Sequence, residues 1–100
     1  MALQISECRG VFSVHGSLHS GNAAILRQHL SAYFVPQKPI ILNLGRVKSI
    51  DRQASLVLSQ LHAFALRKNI LLSIIGKENQ EILPVMQASK TSYILSNDHF

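Results

Sequence analysis

The stretch Pro39-Ile40-Ile41-Leu42-Asn43-Leu44-Gly45 decides the fold class. It is short, almost continuously apolar, and bounded by a proline and a glycine, so it reads as a strand covered on both faces. A central strand of this kind needs helices beside it, and the periodicity supplies them. Upstream, from Ser20, the residues Ala23, Leu26, Leu30, Tyr33 and Phe34 fall on one side of a helical wheel that closes before Pro36, with Ser20 or Asn22 able to cap its start. Downstream, Asp51 opens a second helix as an N-cap, where a carboxylate accepts from unpaired backbone N–H groups and favours the positive end of the helix dipole. Its core stripe is Ala54, Val57, Leu58, Leu61, Phe64 and Ala65, and Arg67-Lys68-Asn69 supplies a favourable carboxyl end.

Further out, Ile70 to Ile75 is a second buried strand stopped by Gly76. At the amino end Leu3 and Ile5, then Phe12 and Val14, alternate with polar residues around Arg9-Gly10, which predicts a strand pair. A shorter helix is expected around Glu81 to Ala88, with Pro84 in its first turn because proline lacks an N–H, and Tyr93-Ile94-Leu95 as a last short strand. Helices that link strands in this order make the inner strands parallel through right-handed crossovers. The expectation is one α/β domain over residues 1–100 with a mixed sheet of four to five strands.

Composition bounds the function. With 47% apolar and 15% charged residues the chain has the makeup of a globular domain rather than a disordered one. Cys8 is the only cysteine, so no internal disulfide forms and a reducing, cytoplasmic setting is expected. The first residues alternate as a strand does, unlike a signal peptide, and no apolar run approaches the roughly 20 residues that span a bilayer. The formal charge of +5 favours acidic partners, but only Arg46, Lys48 and Arg52 crowd together. No nucleic-acid motif accompanies them, which makes nucleic acid an unlikely partner; the alternative readings are a constitutive adaptor or complex subunit, or a nucleotide- or nucleic-acid-binding domain using these three residues.

The order of elements, together with Val14-His15-Gly16-Ser17-Leu18, Ile40-Ile41-Leu42-Asn43-Leu44, Val47, Ile50-Asp51 and Leu71-Leu72-Ser73-Ile74-Ile75-Gly76, resembles the STAS domain. This module is shared by sulfate transporters and bacterial anti-sigma-factor antagonists. The resemblance implies a sheet with helices mainly on one face and a regulatory role in transcription, held against an anti-sigma factor or another serine-kinase-type regulator. It places partner contacts at Lys48, Ile50, Asp51, Arg52, Gln53, Ser55 and Leu56. In antagonists of this type the aspartate precedes a motif such as Asp-Ser-Ser-Gly that carries the phosphorylated hydroxyl, whereas this chain reads Asp51-Arg52-Gln53-Ala54. Gln53 occupies the acceptor position without a hydroxyl, and Arg52 adds positive charge where phosphate would bring about −1.5 to −2 charges. No phosphorylation is therefore expected there, and Ser49 and Ser55 lie out of register. Many family members continue into another helix where this sequence reaches Phe100, so some surface covered there is expected to be open here.

Other constellations point to no catalysis. His15, His19, His29, His62 and His99 lack the close spacing of a metal-ligand motif. Gly76-Lys77 lacks the earlier glycine of a phosphate loop, Leu71 standing in its place. No serine or cysteine stands beside an evident base. The sequence therefore predicts a non-catalytic binding protein that needs no cofactor or metal. Leu56, Ala63 and Leu66 on the second helix, and Ile25 and Ala32 on the first, fall outside the core stripes as candidates for an apolar docking patch or for packing between helices.

Overall fold

The computed structural model describes residues 3–96. Five strands, β1 (Gln4–Cys8), β2 (Val11–Leu18), β3 (Ile40–Asn43), β4 (Val47–Ile50) and β5 (Leu72–Ile75), alternate with three helices, α1 (Ser20–Ser31), α2 (Arg52–Arg67) and α3 (Leu83–Ala88). The sheet runs β1-β2-β3-β5, with β4 joined to β2. Only β1 is antiparallel to its neighbour; β2–β3, β2–β4 and β3–β5 are parallel, as the linking helices require. The chain enters β2 through a two-residue hairpin loop, Arg9-Gly10, with φ of 53° and 83° and the Gly10 N–H donating to Glu7 Oε2 at 2.9 Å. Two consecutive positive φ values match the right-handed twist of the flanking strands.

One face of the sheet carries the core. Phe12, Val14, Leu42 and Ile74 pack with Ala23, Leu26 and Leu30 of α1, Ala54, Leu58 and Leu61 of α2, and Met86 of α3. The opposite face of β3 holds Ile41 and Asn43, which are only half-buried. The expectation that this strand is covered on both faces is thereby corrected, because Ile40 and Leu42 join the core and Ile41 and Asn43 do not.

One strand has no counterpart in the sequence pattern, and two local expectations change. The fourth strand, Val47–Ile50, has no period-2 signature, since only its two ends are buried, and it pairs with the far half of β2 across a register shift at Gly16/Ser17. Tyr93-Ile94-Leu95 is not a strand: Ser92–Ile94 forms a 3₁₀ turn, and Leu95 alone bridges to Ile74 while Ser96 N–H donates to Ile74 O at 2.7 Å. Finally, α1 ends at Ser31, so Tyr33 lies outside it and is exposed, while Phe34 turns inward to stack on Phe64 at 6.1 Å.

Candidate functional site: the turn into the second helix

Strand β4 delivers the chain to the start of α2, and Asp51 holds that junction. Its backbone N–H donates to Leu18 O at 3.1 Å, fixing it to the end of β2. Its Oδ1 accepts from Ala54 N–H at 2.7 Å, the N-cap bond expected of this residue, while Oδ2 lies 3.4 Å from the Ser20 N–H at the start of α1. One carboxylate therefore caps α2 and, at a longer distance, faces the first turn of α1. At α1 the cap position is His19, and Asn22 reaches back to accept from the His19 N–H at 2.8 Å and donates to Ser17 O at 2.8 Å.

The residues expected to face a partner separate by burial. Lys48, Asp51, Arg52 and Gln53 are exposed, Leu56 is half-buried, and Ile50 and Ser55 are interior. Ile50 is a core residue at the end of β4, so it supports the turn from beneath. Ser55 is sealed, donating to Arg52 O at 2.7 Å and sharing a hydrogen bond with Ser89 Oγ at 2.8 Å. Ser89 in turn lies 3.2 Å from Thr91 Oγ1, so a short chain of hydroxyls latches the start of α2 to the end of α3. In this conformation Ser55 offers a kinase no accessible hydroxyl, and Ser49 is the exposed serine of the turn.

Beside Arg52 the gap between α2 and α3 forms a cleft of about 360 Å³ lined by Arg52, Pro84, Val85, Ala88 and Ser89. Arg46, Lys48 and Arg52 are all exposed. Of the apolar residues left outside the core stripes, Leu66 and Ile25 are exposed, as are Ala63 and Ala32, while Leu56 is half-buried. The described histidines do not converge. His19 and His29 are exposed, His29 and Tyr33 lie near Phe12, His62 meets the Tyr93 ring edge-on at 6.2 Å, and His99 is outside the described residues. No three His, Cys, Asp or Glu side chains cluster among the described residues, and no described helix is long and apolar enough to cross a membrane.

The fold and this capped turn define a small α/β domain with a mixed five-stranded sheet. The chain belongs to the STAS domain family, whose model matches residues 1–91, and so to a general class of modules like the anti-sigma-factor antagonists. No curated protein matches the chain.

Proposed function

We propose that this protein is a non-catalytic cytoplasmic module that docks a regulatory protein partner, of the anti-sigma-factor or serine-kinase type, through the turn Lys48–Leu56, and that this docking has no phosphorylation switch at the family's usual position. The observation that carries the reading is Gln53, exposed in the first turn of α2 next to the Asp51 cap, where the acceptor hydroxyl would stand. A phosphate there would add negative charge at a docking face and break the contact. Gln53 keeps the position neutral, and exposed Arg52 beside the α2–α3 cleft gives the surface a cationic, partly apolar character suited to a protein interface.

Two measurements test this. Incubation with a serine kinase and ATP should leave the folded protein unmodified in the turn; phosphate recovered at Ser49 would overturn the unswitched reading. Affinity capture from the native cytoplasm should lose one specific protein when Gln53→Asp imitates the missing charge, while Lys38→Gln, exposed in the loop before β3 near the far end of α2, retains it. Identical captured sets for wild type and Gln53→Asp would move the docking face elsewhere.

A further inference from the structure

On their solvent side α1 and α2 leave between them a groove of about 660 Å³. Its floor is apolar: Ile25 is 62% exposed, and Phe64 is half-buried, backed by the stacked ring of Phe34. Its rim is cationic, with Arg27 on one helix and Arg67 on the other. Arg27 Nη1 makes a long, 3.4 Å bond across the groove to Gln60 Oε1, and the Arg67 guanidinium and the Lys68 ammonium lie 6.0 and 5.8 Å from the centre of the Phe64 ring. Neither α1 nor α2 contains an acidic residue; the five carboxylates of the chain are Glu7, Asp51, Glu78, Glu81 and Asp98. The helices thus hold a partly exposed apolar seam inside a field of one sign.

We propose that this groove binds an acidic amphipathic helix from a protein partner, its apolar residues resting on Ile25 and Phe64 and its carboxylates pairing with Arg27 and Arg67. The dimensions fit: residues 24–31 and 60–67 each offer about 10 Å of helix, two turns, the span covered by anchors at i, i+3 or i+4, and i+7. The apolar floor disfavours a nucleic acid, which needs cationic groups tracking its phosphates and flat aromatic platforms. A second copy of this domain is a poor complement, because no described helix carries a carboxylate. The groove shares no lining residue with the Asp51 turn: it begins at Gln60, one turn of α2 beyond Leu56, and extends to Arg67 at the other end of that helix.

The test uses a synthetic peptide of about 14 residues with leucines at i, i+4 and i+7 and glutamates on both flanks, titrated into the labelled full chain by NMR. Saturable shifts should appear at the amides of Ala24, Ile25, Gln28 and Phe64. Charge reversal with Arg27→Glu and Arg67→Glu together should weaken binding at least about tenfold, and Ile25→Gln, at an exposed position, serves as a second variant should the first disturb folding by circular dichroism. Gln53→Asp should leave peptide affinity unchanged, which separates this groove from the docking turn. The proposal is overturned if the peptide does not bind, if shifts map elsewhere, or if a lysine version of the peptide binds as tightly. Preferential occupation of the groove by oligothymidylate or anionic phospholipid vesicles overturns it equally.

Discussion

Replacing Asp51 separates its work as a cap from its place in the proposed docking face. In Asp51→Ala the 2.7 Å bond to Ala54 N–H disappears and the first turn of α2 loses its capping acceptor. Loss of an N-cap acceptor costs about 1 kcal/mol, and removing negative charge from the positive end of a helix adds about 0.5 kcal/mol. The Ser20 contact contributes little more, because at 3.4 Å it is beyond the usual range for N–H···O bonds. The sum, about 1.5 kcal/mol, corresponds to a fall in Tm of about 6–12 °C for a domain of this size.

Asp51→Asn retains a capping oxygen and loses only the charge, so its cost should be about 0.5 kcal/mol, a fall of about 2–4 °C. The assay is thermal and urea unfolding of the three proteins at neutral pH, with an unchanged m-value as the sign that only the native state was altered. Hydrogen exchange at the Ala54 amide should accelerate in the alanine variant and hardly change in the asparagine one. If both variants melt together, or the alanine variant melts with wild type, the carboxylate does not cap α2 and the geometry of the docking turn has another origin.

Other substitutions probe the frame that holds the turn. Gly76 has φ of 130°, and a Cβ there would meet Leu44 C at 3.0 Å and Gly45 N at 3.1 Å, so Gly76→Ala should cost about 2–4 kcal/mol in urea unfolding; a cost under about 0.5 kcal/mol would contradict the close approach. Leu58→Ala empties a fully buried position at the centre of α2 and should destabilise by about 2–5 kcal/mol, with a smaller loss expected only if neighbours collapse into the space. Arg9→Asn places a residue that tolerates positive φ in the β1–β2 hairpin and should raise stability by about 0.5 kcal/mol; a lower Tm would mean that Arg9 makes a compensating contact.

Much of the fold can be read from sequence because each helix buries one stripe against one sheet face. Ala23, Leu26 and Leu30, and Ala54, Leu58, Leu61 and Ala65, recur at helical spacing and are all buried. The Asp51 cap is equally local, since donor and acceptor lie three residues apart. What resists reading is settled by distant segments. Val47-Lys48-Ser49-Ile50 buries only its ends, and its place in the sheet depends on the irregular second half of β2. Ser55 looks like any hydroxyl near a helix start until Ser89, 34 residues later, closes over it.

The same division explains the two surfaces of α2. The turn proposed to dock a partner is legible because a family pattern passes through Asp51 and because a glutamine where a hydroxyl is expected is visible in a single line of sequence. The α1–α2 groove is not, since Ile25 lies off its helix's core stripe, Phe64 falls in the stripe of another, and only the packing of the helices brings the two beside one opening. One of its properties was nevertheless in plain view: the two longest helices carry arginines and no carboxylate at all. A pair of adjacent helices with basic residues and no acidic ones forgoes the i, i+4 ion pairs that ordinarily support solvent-facing helices. The cation excess is thereby left to act outward, across an apolar seam, toward whatever brings the missing negative charge.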